Sequence, residues 1–118
     1  MNEIVVNSPL LEQYLRENYP KYKFISSTTK CIKNKEVLNQ EINKEYIRVC
    51  LDYNLNHNFD LLKSFNEEEK EKVELLINAA CGANCEFRKK HYEIMSKSTL
   101  LYYKPYKSQS CSLFYENN

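Results

Sequence analysis

The feature that most constrains the fold is a repeated alternation between short β-branched or aromatic runs and segments with helical spacing. Ile4-Val5-Val6 is the first such run. Ser8 and Pro9 then start a helix, because serine caps well and proline fits the first helical position, where its missing N–H would have no partner. Apolar residues follow with helical spacing over 10–15. The opening of the chain therefore predicts a strand followed by a helix.

The same alternation recurs along the chain. The predicted strands are 22–25, 46–51 and 73–77, and the predicted helices are 35–44, a short one around 59–65, and about 86–97. Alternating elements imply parallel strands joined by right-handed crossovers. We therefore predict an α/β fold with a small parallel, half-barrel-like sheet of about four strands. Such a sheet cannot close, so an open edge must be capped by the C-terminal tail or paired with another chain.

Two less regular segments complete the organisation. The run 66–72 is almost wholly charged and is predicted to be a solvated helical turn or loop. The segment 99–118 is rich in Tyr, Ser and Lys and shows no clear period. We predict an α/β domain over 1–98 and a tail over 99–118 that either adds an edge strand around 100–103 or is loosely ordered.

Composition excludes several classes of protein. Seventeen Lys and Arg face sixteen Asp and Glu, whereas a dedicated DNA-binding protein usually carries a basic excess. No run approaches the ~20 apolar residues of a membrane span, and the N-terminus does not resemble a secretion signal. Gly82 is the single glycine, which excludes glycine-rich phosphate cradles, and no cofactor is predicted. Five cysteines without framework spacing indicate a reducing, cytoplasmic location.

Polar residues follow each predicted strand, and the carboxyl ends of parallel strands are where α/β folds bind ligands. The rim candidates for a small-molecule site are Ser27, Thr28, Lys30, Asp52, Asn54, His57 and Asn78. The alternative is simple, since strand ends become loops and loops are polar. No nucleophile elbow is present, and we predict no catalytic residue.

Cys81 and Cys85 form the sharpest local feature. Thiolates bind zinc or iron–sulfur clusters, but a complete site needs four ligands. The Cys-x-x-x-Cys spacing is shared with the radical-SAM signature, whose third cysteine would stand at Arg88. The sequence therefore leaves two alternatives open, a metal site or an idle thiol pair.

Two surfaces are candidates for partner binding. Arg88, Lys89 and Lys90 form a basic turn of the last predicted helix, which could meet phosphate or an acidic protein surface. Tyrosines crowd the tail, and tyrosine is enriched at interface hot spots. The tyrosines concerned are Tyr102, Tyr103 and Tyr106. A solvated helix face and a cover for the sheet edge are the structural alternatives.

Several blocks together carry a resemblance. The blocks are 7–15 (NSPLLEQYL), 24–30 (FISSTTK), 49–56 (VCLDYNLN), 77–85 (INAACGANC) and 88–92 (RKKHY). In this order they resemble the N-terminal half of an uncharacterised bacterial family with a TIM-barrel-like fold, which is distantly similar to collagenase-like peptidase barrels. The resemblance implies a parallel α/β half-barrel over about 4–95, truncated relative to the longer family members. Some of the related barrels hold an iron–sulfur cluster, and Ala83 replaces the proline usual in the cysteine loop.

Three functional hypotheses follow. The first is a non-catalytic protein-binding chain, in its most concrete form a small mobile-element inhibitor of a host enzyme, such as an anti-CRISPR-like nuclease inhibitor. The second is a metal- or iron–sulfur-binding remnant that uses Cys81 and Cys85. The third is a small-molecule enzyme that uses the strand-end rim around Asp52 and His57. We expect a protein partner, or a homodimer through the open sheet edge, and no membrane or dedicated DNA binding.

Overall fold

The computed structural model describes residues 2–79 and 81–99. The chain divides into two compact units, Met1–Ala80 and Cys81–Asn118. The predicted edge strand at 100–103 and the candidate tyrosines Tyr102, Tyr103 and Tyr106 lie outside the described residues. The predicted tail boundary after residue 98 therefore stays a prediction.

The first unit alternates strands and helices as the sequence indicates. Its elements are β1 (Glu3–Val6), α1 (Pro9–Asn18), β2 (Lys23–Ser26), α2 (Lys35–Ile42), β3 (Arg48–Cys50), α3 (Phe59–Ser64), α4 (Glu67–Lys72) and β4 (Val73–Glu74). Two short 3₁₀ turns, Thr28–Lys30 and Tyr53–Leu55, follow β2 and β3. The described part of the second unit contains α5 (Arg88–Thr99).

The four strands form one open parallel sheet in the order β1-β2-β3-β4. Its register places Ile4 opposite Phe24, and Val49 opposite Val73. The predicted α/β class and the small parallel, half-barrel-like sheet are therefore confirmed. β3 and β4 are shorter than predicted, with 3 and 2 residues, whereas β1 and β2 have 4 residues each. Among the described helices, none is long and apolar enough to cross a membrane.

Side chains alternate between the two faces of the sheet. Val6, Phe24 and Val49 point to the helix-covered face and are 2%, 4% and 1% exposed. They belong to a core cluster whose other buried members are Leu38, Ile42, Tyr46, Leu51, Leu55, Leu61 and Phe65. On the other face, the Arg48 guanidinium reaches across the sheet to the carboxylates of Glu3, at 2.7 Å, and Glu74, at 3.7 Å.

The helix starts follow the expected capping chemistry. Ser8 accepts a hydrogen bond from the Leu11 N–H, and Pro9 occupies the first turn of α1, as predicted. The charged run 66–72 is a solvated helix, α4, which begins with a reciprocal capping box between Asn66 and Glu69. Acidic residues fill its first turn and lysines its last, which suits the helix dipole.

Removing this cap should be measurable. We expect Asn66→Ala to lower the free energy of unfolding by about 1 kcal/mol, because the Glu69 N–H loses its acceptor and α4 has no buried residue to hold it. Glu68→Ala in the same turn is the matched control and should change it by less than about 0.5 kcal/mol. Urea denaturation of both variants measures the difference, and equal effects would contradict the capping role.

The last described helix differs from the sequence-based prediction. The spacing of apolar residues predicts a start near residue 86, with Asn84 as the cap and with Phe87 and Met95 facing inward. Asn84 instead has a φ of 55°, which turns the chain, and α5 begins at Arg88. Phe87 and Met95 are 41% and 53% exposed. The buried position belongs to Arg88, whose Nε donates to the Tyr92 hydroxyl oxygen at 2.8 Å.

Candidate functional site

The predicted rim residues near the end of β2 make hydrogen bonds that connect the loops at the strand ends. The Thr28 hydroxyl donates to the Leu51 carbonyl oxygen at 2.7 Å, which joins the loops after β2 and β3. Ser27 and Thr29 share a hydroxyl hydrogen bond of 2.7 Å, and the Asn7 side-chain amide donates to Thr29 at 2.6 Å. The structure thus brings Ser27 and Thr28 to the expected rim, where they make these hydrogen bonds.

The other rim candidates are arranged differently. Asp52 is 2% exposed, and its Oδ1 accepts from the backbone N–H of Asn54 at 2.9 Å and from its side-chain amide at 2.8 Å. This carboxylate caps the turn Tyr53–Leu55. His57 is exposed and lies edge-on to the Phe59 ring, and Asn78 is also exposed. Asp52 and Asn54 thus contribute to this turn, and the His57 ring contacts the Phe59 ring.

Lys30 belongs instead to a partly buried polar cluster beside α1 and α2. Its ammonium lies 2.5 Å from Glu41 Oε1, 3.0 Å from the Tyr46 hydroxyl oxygen and 3.9 Å from Glu12 Oε2. These partners come from α2, from the segment before β3, and from α1. The cluster therefore joins three elements through one cation. We call it the Lys30 network, comprising Glu12, Arg16, Ser26, Lys30, Glu41, Lys44 and Tyr46.

Glu41 is the most buried charge of the Lys30 network, with 3% of its surface exposed. Its Oε1 also accepts from the Ser26 hydroxyl at 2.6 Å, and its Oε2 accepts from Lys44 at 2.6 Å. Burial by itself raises the pKa of Glu41, but hydrogen bonds from Lys30, Lys44 and Ser26 outweigh it and lower the pKa from 4.5 to about 2. Glu41 is therefore ionised in the interior at neutral pH.

Arg16 and Tyr46 complete the Lys30 network on the side of α1. Arg16 Nε donates to Glu12 at 2.9 Å and Nη2 donates to the Glu45 carbonyl at 3.0 Å. The guanidinium also lies over the rings of Phe24, at 4.4 Å, and Tyr46, at 5.3 Å. Tyr46 donates to Glu12 Oε2 at 2.6 Å. Burial, and then this hydrogen bond, raise the pKa of Tyr46 above its usual range.

A groove of about 500 Å³ opens over the Lys30 network. We call it the α1 groove. Its walls are formed by Pro9, Glu12, Gln13, Arg16, Glu17, Lys30, Lys44 and Tyr46. Perturbed ionisable groups beside a cavity are typical of binding sites, although structural ion pairs produce the same signature.

A second surface is apolar and lies on the opposite flank of α1. Leu10, Leu11 and Tyr14 are 79%, 52% and 53% exposed. Helical spacing places them on the side away from Glu12 and Arg16, which face the Lys30 network. We call this surface the outer flank of α1. It continues from the Tyr14 ring through two further tyrosine rings, with centroids 6.4 and 6.1 Å apart; these belong to Tyr19 and Tyr22.

The candidate metal and basic residues lie in the second unit. Cys81 and Cys85 are cysteines of intermediate exposure that form no disulfide bond with a described residue. Within residues 2–79 and 81–99, no group of three or more Cys, His, Asp or Glu side chains could hold a metal ion. Lys89 and Lys90 are exposed, whereas Arg88 is 2% exposed. Of the predicted basic turn, these two lysines face solvent.

Sequence reasoning found Lys30 but missed the partners that surround it. Glu41 could have been found from helical spacing, because it lies three residues after Leu38 and one before Ile42. These three are the buried residues of α2, and Glu41 is the charged one among them. The same helical spacing predicts that Val37 faces the core beside Leu38, but it is 46% exposed. Tyr46 had been assigned to a strand, and nothing local indicates that it would meet Glu12, 34 residues away in sequence.

Comparisons with known proteins give a partial likeness. No protein-family model matches the chain, and no solved structure matches it. A protein of Methanocaldococcus jannaschii described as an uncharacterized protease is 32% identical over 53 residues, which make up 45% of this chain and 16% of that protein. The match thus spans less than a fifth of the relative's length. It is a distant likeness to one region of a longer protein.

Proposed function

We propose that this chain is a non-catalytic protein-binding module that holds its partner on the outer flank of α1 and the adjoining edge of β1. The observation that carries this proposal is the run of exposed apolar side chains along one side of that helix. Leu10 is 79% exposed and Leu11 is 52% exposed. Contiguous exposed apolar surface is typical of interaction sites rather than of free solvent-facing helices.

The backbone of β1 supports the same surface. The Asn2 and Val6 carbonyls accept hydrogen bonds from the Lys23 and Ser27 N–H groups, at 3.3 and 3.0 Å. In a parallel ladder the alternate residues, here Glu3 and Val5, direct both N–H and C=O to the opposite side. Among the described strands, β1 is at the edge of the sheet. A partner segment could therefore add a strand there, with main-chain hydrogen bonds for affinity and apolar side chains for specificity.

The partial likeness to a longer protein suggests why apolar residues of α1 and the edge of β1 are exposed. We propose that the chain is related to a protease-like barrel family, as the sequence blocks and the partial match to the uncharacterized protease suggest. In a closed barrel, a further strand and helix would cover β1 and α1. The proposal is that a partner protein covers the same surfaces of β1 and α1. We do not propose proteolytic activity, because the carboxylate of the rim candidate Asp52 caps a turn.

The test uses a matched pair of charge insertions. Leu11 on α1 and Val37 on α2 are 52% and 46% exposed, so glutamate should be tolerated equally well at both. A partner enriched on the immobilised chain is identified, purified and titrated by calorimetry. We expect Leu11→Glu to weaken binding by about 30-fold, the size of a hot-spot loss, and Val37→Glu to leave it within about twofold. Equal effects of the two variants would overturn the proposed surface.

The same variants address the narrower hypotheses. An anti-CRISPR-like inhibitor would suppress a nuclease in a cleavage assay, and Leu11→Glu would relieve that inhibition while Val37→Glu would not. Light scattering of the free chain tests a homodimer through the sheet edge. A dimer that Leu11→Glu dissociates would make a second copy the partner and would overturn binding to a different protein as the role of this flank.

A further inference from the structure

We propose that the α1 groove binds a small organic anion that carries a carboxylate or phosphate group, with Arg16 and Lys44 as its direct ligands. This site is separate from the proposed protein-binding surface, because it lies on the side of α1 that bears Glu12 and Arg16, opposite the outer flank. Its volume of about 500 Å³ falls within the range of small-molecule sites.

The argument begins with the carboxylates of the Lys30 network, which are occupied. Glu12 Oε1 accepts from Arg16, and its Oε2 accepts from the Tyr46 hydroxyl. Glu41 Oε1 accepts from Lys30 and Ser26, and its Oε2 accepts from Lys44. Each of the four oxygens therefore already has a donor. A bound cation would have to displace one of these charge-assisted hydrogen bonds, which are the strong ones in proteins.

Arg16 and Lys44, in contrast, have N–H groups that no acceptor in the network uses. Arg16 uses Nε and Nη2, and within residues 2–79 and 81–99 no hydrogen bond engages its Nη1. Lys44 gives one hydrogen bond to Glu41, and its side chain is 58% exposed, so an ammonium with three N–H groups has two left for solvent or ligand. The hydrogen-bonding capacity that remains in the groove is thus rich in donors, which suits an anionic oxygen group.

Arg16 is also held in place before any ligand arrives. Its guanidinium lies over the Phe24 and Tyr46 rings and is fixed at two nitrogens by Glu12 and the Glu45 carbonyl. A planar fork that is already oriented loses little conformational entropy on binding. Glu17, on the groove wall, accepts a hydrogen bond from Gln13. Because the positive and negative side chains of the groove are close to balanced in number, we do not expect it to attract all anions. We expect it to bind a particular anion with modest affinity.

The experiment titrates the full chain with inorganic phosphate and, separately, with glutarate at constant ionic strength, followed by ¹H–¹⁵N NMR. We expect saturable shifts of the Arg16 Nε resonance and of amides near Lys44 with at least one probe. Binding of phosphate alone, or of glutarate alone, identifies the preferred anion and supports the site. Shifts that grow linearly with either probe and spread over surface lysines would overturn it.

Three variants separate a ligand role from a structural one. Arg16→Lys keeps the charge but loses the fork, and Lys44→Gln removes an exposed cation; each should weaken binding by about tenfold. Lys70→Gln is the matched control, because Lys70 is 46% exposed and pairs with Glu67 outside the groove. It should bind like the parent. If Lys44→Gln is folded and binds unchanged, the assignment of Lys44 is wrong; if Arg16→Lys also binds unchanged, the site is wrong.

Discussion

Replacing Glu41 with glutamine is expected to lower the free energy of unfolding by about 3 kcal/mol, the cost of breaking a buried ion pair. Glu41 is 3% exposed and is bonded to Lys30, Lys44 and Ser26. Lys44 is 58% exposed and can turn to water, but the Lys30 side chain is 15% exposed and would stay partly buried without its closest anion. Urea denaturation at pH 7 gives the difference from the shift in midpoint at unchanged slope.

A surface pair of similar length is the control. Glu67 and Lys70 lie 2.6 Å apart, but the Glu67 side chain is 90% exposed. Glu67→Gln should cost less than about 0.5 kcal/mol, because exposed ion pairs gain little over hydration. A double-mutant cycle of Glu41→Gln with Lys30→Met should show coupling of about 2 kcal/mol. A Glu41 effect no larger than the Glu67 effect would show that the pair does not hold the helices together.

Much of the fold could be predicted because its signals are local. The β-branched run at 4–6, the Ser8 cap and Pro9 at the first turn are neighbours in sequence, and they specify a strand and a helix start without tertiary information. The parallel order of the strands then follows from the alternation. The end of β4 and the start of α5 were less well predicted, since Asn84 reverses the chain where helical spacing alone would continue.

The Lys30 network could not be predicted, because its contacts are long-range. Lys30 was identified as a strand-end residue, and only the fold shows that its ammonium turns toward Glu41 and Tyr46. The rim residue Asp52 was placed correctly at a strand end, yet its carboxylate caps a turn. Residue type and spacing predict where along the chain a polar residue follows a strand. The hydrogen-bond partners of Lys30, however, are set by the packing of α1 and α2.

The network and the proposed binding surface are linked through the way α1 is attached. None of the ten residues of α1 is buried, and Leu15 is its apolar contact with the core cluster. Glu12 and Arg16 supply hydrogen bonds to Tyr46 and to the Glu45 carbonyl on the other side of the helix. A helix held by polar bonds on one flank can leave its apolar residues on the other flank exposed. Loss of the network should therefore also loosen the proposed binding surface.

Acid should abolish the contribution of Glu41, and this is the sharpest test of its ionised state. The folded-state pKa of Glu41 is about 2 against a usual 4.5, so the unfolded chain takes up this proton first as the pH falls. Its contribution, on the order of 3 kcal/mol, is fully present above pH 4.5 and is lost as the pH falls toward about 2.

Other carboxylates titrate in the same range, so the informative quantity is the difference in unfolding free energy between the parent and Glu41→Gln. Glutamine imitates the protonated acid. The difference should be constant from pH 7 to about 5 and should shrink toward zero near pH 2. A difference that stays constant down to pH 2.5 would mean that the Glu41 charge does not stabilise the fold and that the loss in the variant reflects side-chain packing.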